Sequence, residues 1–194
     1  MIAFLSHIDH QLFLFLNGIH NPFFDRLMFT ASKGLVWLPV YLAFLALVIW
    51  KYRWQTLWIL LFAALLILVS DQVSNVIKDA VQRLRPSHEP GLEVHLVNAY
   101  KGGSFGFYSA HASNSFAVSV FLIILLKPFF RFFFIPVLLW ALFLSSTRIY
   151  LGVHFPGDIL AGMVMGSLVG WGAGILCLRI IHRFRRSGIP GKEK

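Results

Sequence analysis

Read from its N-terminus, the chain alternates long uncharged apolar runs with short polar breaks. Between Lys33 and Lys51 lie 17 uncharged residues, and between Arg53 and Asp71 another 17. The run from Lys101 to Lys127 is 25 long, its first half (GGSFGFYSAH) reading as a loop. Sixteen residues separate Arg131 from Arg148, and 20 separate Asp158 from Arg179. A helix crossing a bilayer needs about 17–25 mostly apolar residues. Inside lipid, each backbone group must also find its partner within its own segment. The pattern therefore predicts five crossing helices, with tight turns such as KYRW and KPFFR making neighbours antiparallel. Residues 1–24 differ. Ile2, Leu5, Ile8, Leu12, Phe15, Leu16 and Ile19 recur every three or four positions, with His7, Asp9, His10, Gln11 and Asn17 between them. That periodicity predicts an amphipathic helix suited to the membrane interface, with a sixth crossing as the alternative. It has neither the basic start nor the small-residue cleavage site of a signal peptide. The expectation is an all-α, multi-pass transmembrane bundle of five to six helices, a single domain over residues 1–194.

Composition agrees with the pattern. Only 13% of residues are charged and 58% are hydrophobic, against about 25% charged in a soluble domain. The single cysteine, Cys177, excludes an internal disulfide framework and a cysteine zinc site. A net charge of +9 raises the question of nucleic acid, but the basic residues form no soluble patch. They sort instead by membrane side. Lys51, Arg53, Lys127, Arg131 and every basic residue from Arg179 onward share one end of the bundle with a single acid, Glu193. The seven other basic residues share the opposite end with seven acids. Cytoplasmic loops carry the excess of Lys and Arg, so the basic end, with its tail 182–194, is expected to be cytoplasmic. The mixed end then faces outward.

The mixed end gathers chemistry. The connections at 71–111 and 146–158 both open there, presenting Lys78, Arg85, Ser109, His111, Arg148, His154 and Asp158. Ionisable groups at membrane depth are costly and usually functional. Lys78, Arg85 and Arg148 are three cations with no obvious carboxylate partner, a set that suits a phosphate. His154 and Asp158 stand four apart beside Pro156, which favours the first turn of a helix. Asp158 can then hold the Nδ1 proton of His154 and leave Nε2 as a nucleophile; it can equally complement the helix dipole. His111, at the mouth of the third span, is placed to protonate a leaving oxygen. No His–His or Asp-x-Asp ligand spacing appears, so neither a metal nor another cofactor is expected.

Three blocks of this sequence carry a resemblance. Lys78 to Arg85-Pro86 (K-x6-RP), Tyr108 to His111 (YSAH) and Thr147-Arg148 with His154 and Asp158 (TR-x5-H-x3-D) resemble, in order and spacing, the signature blocks of the PAP2 superfamily, the type 2 phosphatidic acid phosphatases. The second block of that family usually reads PSGH and the third usually has serine before its arginine; here Tyr108, Ala110 and Thr147 stand at those places. The resemblance implies a metal-independent phosphatase with a phosphohistidine intermediate. It implies attack by His154, orientation by Asp158 and proton donation by His111. Lys78, Arg85, Ser109, Arg148 and the backbone amide of Ala110 would hold the phosphate oxygens.

A site at the outer membrane boundary favours a lipid phosphate whose tail stays in the bilayer. The stretch LFLFLNGIHNPFFDRLM is similar to bacterial undecaprenyl-diphosphate phosphatases of the superfamily, which implies that substrate and the bacterial inner membrane. Lipid A 1-phosphate and phosphatidylglycerol phosphate are the competing substrates, and loop 87–107 is the expected headgroup cover. An anionic-lipid-binding bundle without catalysis is the alternative of another class, for which the two histidines have no use. Gly162, Gly166, Gly170 and Gly174 form a small-residue stripe on the last span that serves either packing within the chain or a dimer face. The sequence leaves the oligomeric state open.

Overall fold

The computed structural model describes residues 2–186. Its helices are α1 (Ile2–Gly18), α2 (Pro22–Ala31), α3 (Leu38–Tyr52), α4 (Thr56–Val81), α5 (Ala110–Leu126), α6 (Phe134–Tyr150) and α7 (Pro156–Arg186). Among the described residues, the extended backbone pairs only in a single bridge, Leu84 with Phe105. α3 to α7 coincide with the five apolar runs. Their outer faces carry Leu57, Leu68, Leu139, Leu160, Leu168 and Trp171, each well exposed. Such a continuous apolar surface is untenable in water and natural in lipid. The chain is an integral membrane protein.

Three boundaries differ from the sequence reading. The N-terminal segment is two helices, not one. Gly18 ends the first; Asn21 then caps the second by accepting from the Phe24 amide at 2.9 Å, with Pro22 in its first turn. The connection expected over 71–111 begins only at Gln82. α4 continues through Asp71 and Lys78 until Gln82 adopts a left-handed conformation (φ 50°) and its amide bonds the Lys78 carbonyl. The basic tail expected over 182–194 starts as the last turn of α7, and residues 187–194 lie outside the described residues.

α1 lies across the mixed end of the bundle. Asp9, midway along it, bonds Arg83 and the Gly157 amide. Asn17, near its C-terminus, donates to the carbonyls of His95, Ile149 and Tyr150. All of these partners sit at the mixed end, so the helix runs along that face and does not cross. Its apolar residues Phe4, Leu5, Ile8, Leu12 and Phe15 point away from the protein. The amphipathic pattern is therefore used with the polar stripe inward and the apolar stripe toward lipid.

α5 and α7 make the closest pair in the bundle. A Cβ added at Gly162, Gly166 or Gly170 would meet a backbone carbonyl of α5 (Ser109 at 2.6 Å, Ser113 at 2.0 Å, Ala117 at 2.3 Å). The small-residue stripe thus serves packing within the chain. Small residues let helix backbones approach where lipid gives no hydrophobic drive between helices. Ser70 and Ser113 bond at 2.8 Å, and Asn114 donates to Asp71 at 2.7 Å, pinning α4 onto α5.

Gly166→Ala forces the helices apart at the tightest point. The expected cost is about 1–3 kcal/mol, read as a lower thermal unfolding midpoint in detergent. Gly172→Ala, where nothing lies within 4 Å of the added carbon, leaves the midpoint unchanged or raises it by helix propensity.

Candidate active site

Four helix ends meet at the mixed end: the C-termini of α4 and α6 and the N-termini of α5 and α7. Each delivers one part of the expected site. Pro156 opens α7, and Asp158 sits in its first turn, fully buried. The Asp158 Oδ2 accepts from the Phe155 amide at 3.0 Å, the reach-back of a capping box. Its Oδ1 accepts from Arg83 Nη1 at 2.9 Å. His154 is 3% exposed, and its Nδ1 lies 3.4 Å from Asp158 Oδ2. That separation is long for a hydrogen bond, and Nδ1 has no other partner; catalytic contacts of this kind often tighten only when substrate binds. Asp158 therefore caps the helix and stands beside the histidine without a hydrogen bond to its Nδ1.

Burial pushes the His154 imidazole down to about 4. Arg85 and Arg148 push the same way, and Asp158 opposes them. The ring is neutral at ordinary pH, with a lone pair to donate.

α5 starts at Ala110 because Ser109 caps it, Oγ accepting from the Ala112 amide at 3.3 Å. The Ser109 amide in turn donates to the Asp158 carbonyl at 3.1 Å, tying the two helix N-termini together. Accepting at Oγ leaves the Ser109 hydroxyl proton free to donate. The first-turn amides of a helix point outward and favour an anion. Ala110 lies in that first turn with an ordinary helical backbone, so its Cβ is no obstacle where the family usually has glycine. His111 follows, its Nε2 accepting from Arg148 Nη2 at 3.3 Å. The same Arg148 nitrogen donates to the Ser32 carbonyl at 2.9 Å. His111 and His154 stand close enough for their charges to interact.

The two remaining cations come from the end of α4 and the strap after it. Lys78 is half-buried on the last turns of α4. Arg85 is fixed by its Nε donating to the Phe105 carbonyl at 3.0 Å. Its guanidinium passes so close to Gly102 that a Cβ there would fall 2.4 Å from Nη1. All eight residues singled out in the sequence thus meet at one face. Among the described residues, no group of three His, Cys, Asp or Glu side chains is arranged to hold a metal ion.

Two participants escaped the sequence reading. Arg83 bridges Asp158 and Asp9, the latter at 2.7 Å. The available signal was a second arginine inside the first block, two residues before Arg85, together with an acid on the polar stripe of α1. Neither is distinctive alone. Below His111 a cavity of about 570 Å³ opens between α2, α3, α4, α5 and α6, walled by Trp37, Tyr41, Val118, Trp140 and Leu144.

Known proteins resemble this chain over most of its length. A lipid A 4'-phosphatase from Bacteroides thetaiotaomicron is 40% identical over 99% of this chain and 87% of its own length. One from Porphyromonas gingivalis is 32% identical over 87% of this chain and 72% of its own. Among solved structures, the transmembrane phosphatidylglycerolphosphate phosphatase of Bacillus subtilis shares the fold with a TM-score of 0.65 at 22% identity, covering 97% of this chain and 89% of the other. Aquifex aeolicus LpxE does so with a TM-score of 0.60 at 22% identity, over 87% and 93%. The PAP2 superfamily model matches residues 56–186, the stretch from α4 through α7 that holds all three blocks, and the chain belongs to that superfamily of membrane lipid phosphatases.

Proposed function

We propose that this chain is a metal-independent lipid phosphatase acting at the outer face of the bacterial inner membrane, with its C-terminus cytoplasmic, and that its substrate is a phosphate monoester of lipid A. The observation that carries the reading is a neutral, buried His154 backed by Asp158 and faced by Lys78, Arg85 and Arg148, beside an apolar cavity that begins at His111. The cations suit a phosphate and the cavity suits an apolar tail. The names of the two relatives support lipid A phosphate ahead of undecaprenyl diphosphate, the substrate suggested by the N-terminal stretch. The excess of basic residues at the opposite end supports the orientation.

The chemistry follows from the positions. His154 Nε2 attacks phosphorus and forms a P–N bond as the P–O bond to the lipid breaks. His111, once protonated, gives its proton to the departing alkoxide, which leaves as the lipid alcohol. Water then attacks the phosphohistidine, His111 takes the proton back, and the P–N bond breaks to release inorganic phosphate and restore His154. Charge on the equatorial oxygens is met by Lys78, Arg85, Arg148, the Ser109 hydroxyl and the first-turn amide of Ala110. These donors are in place before the reaction and need little reorganisation.

Phosphate release by the detergent-purified protein tests the reading. Lipid A 4'-phosphate, lipid A 1-phosphate, undecaprenyl diphosphate and phosphatidylglycerol phosphate are compared with EDTA present. Release is expected to be fastest from a lipid A species, to ignore EDTA, and to fall by about 1,000-fold or more in His154→Ala. Equal release by that variant would exclude the catalytic assignment, and faster release from undecaprenyl diphosphate would reassign the substrate.

The pH profile follows from the depressed His154. The free enzyme loses its nucleophile only as pH falls through about 4, whereas an ordinary histidine would be protonated below about 6.5. With the substrate phosphate's own ionisation corrected for, the acid limb of kcat/KM is expected between about pH 4 and 5. A limb near 6.5 would show that His154 is not held neutral by burial.

A further inference from the structure

The Asp158 carboxylate is held by an arginine that is not one of the motif positions of the first block. Arg83 spans two acids, donating from Nη1 to Asp158 at 2.9 Å and from Nη2 to Asp9 at 2.7 Å. Its guanidinium also lies 4.2 Å from the centre of the Phe155 ring. That ring in turn packs on His10 at 4.5 Å and Phe13 at 5.2 Å, both on α1. Asp9 makes a second contact, its Oδ1 accepting from the Gly157 amide at 2.7 Å. A Cβ at Gly157 would stand 2.9 Å from the Asp9 carboxylate, so the absence of a side chain there is what lets Asp9 in. The backbone of Arg83 is fixed as well, by the left-handed end of α4 at Gln82 before it and by the Gly106 amide on its carbonyl at 2.8 Å.

The arrangement is more than an anchor for α1. One Asp9 contact falls on the segment that carries the chemistry, Gly157 lying between His154 and Asp158, and the other reaches it through Arg83, which holds the Asp158 oxygen that faces away from His154. A carboxylate free to rotate would offer His154 Nδ1 an acceptor in no fixed direction. One bound at Oδ1 by Arg83 and at Oδ2 by the Phe155 amide has a single orientation. Arg83 alone would still swing on its long side chain; the second carboxylate and the aromatic face remove that freedom.

We propose that Asp9 and Arg83 are positioning residues, through which the N-terminal helix α1 sets the orientation of Asp158 and so of the nucleophile His154. This makes α1, which lies outside the residues matched by the family model, part of the catalytic apparatus of this chain. The proposal rests on the phosphatase reading above, and its test separates the two.

Phosphate release is measured for wild type, His154→Ala, Asp9→Asn, Gly157→Ala, Arg83→Ala and the Asp9→Asn/Arg83→Ala double variant, on whichever lipid phosphate wild type hydrolyses best. A silent wild type would count against the phosphatase reading; an active wild type with unaffected variants would count against this proposal alone. Asp9→Asn keeps an acceptor for the Gly157 amide and removes only the charge facing Arg83. It is expected to lower kcat about tenfold, and Arg83→Ala about 100-fold, with KM within about threefold of wild type, because misplacing a reacting group by an ångström is enough for such losses. Gly157→Ala, which displaces Asp9 without touching Arg83 or Asp158, should match Asp9→Asn. The double variant should be no slower than Arg83→Ala, since both act through one contact. Should Arg83→Ala fail to fold, Asp9→Asn and Gly157→Ala decide the matter at an unfolding midpoint near that of wild type. A kcat within twofold of wild type in both, a loss confined to KM, or losses that multiply in the double variant would overturn the proposal.

Discussion

Everything at the candidate site depends on how closely α5 and α7 approach. Their backbones touch along Gly162, Gly166 and Gly170, so closely that no Cβ fits. At the mixed end of that contact the Ser109 amide bonds the Asp158 carbonyl. The cap of one helix is thereby fixed to the first turn of the other. His111 on α5 and His154 just ahead of α7 inherit their separation from this contact, not from the loops that join the helices. A bilayer supplies no hydrophobic drive between helices, so close packing and hydrogen bonds must hold the register. The serines and the Asn114–Asp71 pair do the same between α4 and α5.

The second constraint is the handling of charge. A buried carboxylate is tolerable only when its oxygens are matched. Asp158 is fully buried and receives an arginine and a backbone amide on its side chain. The cations proposed to meet the phosphate are treated differently. Arg85 and Arg148 are steadied by backbone carbonyls of Phe105 and Ser32, which fix their geometry without neutralising them. The site therefore keeps its positive charge for an anionic substrate. The same charge, together with burial, holds His154 unprotonated.

The strap between α4 and α5 belongs to this design. It is clamped by the N-terminal helices. His10 meets Glu89 at 2.8 Å, Asn17 holds both backbone groups of His95, and the His95 ring reaches Asp25 at 2.9 Å. Two surface helices hold its far side while Arg85 and Arg83 hold its near side. The amphipathic N-terminus is therefore more than a membrane float.

Much of this was legible in the residues themselves. Uncharged runs of 16 to 25 residues located the five crossing helices, because the thickness of a bilayer fixes the length a helix needs. The order and spacing of Lys78, Arg85, Ser109, His111, Arg148, His154 and Asp158 marked the site, because each falls at a helix end and an even count of crossings returns those ends to one face. Arg83 and Asp9 were not legible. They are 74 positions apart, each ordinary in its own stretch, and only the fold of α1 across the helix ends brings their charges together. Tertiary structure also turned the polar stripe of α1 inward, joined the glycine stripe to α5 instead of a second chain, and opened the cavity beneath His111. Periodicity records which residues share a face. What that face meets is decided by packing between segments remote in the chain, and no local pattern encodes it.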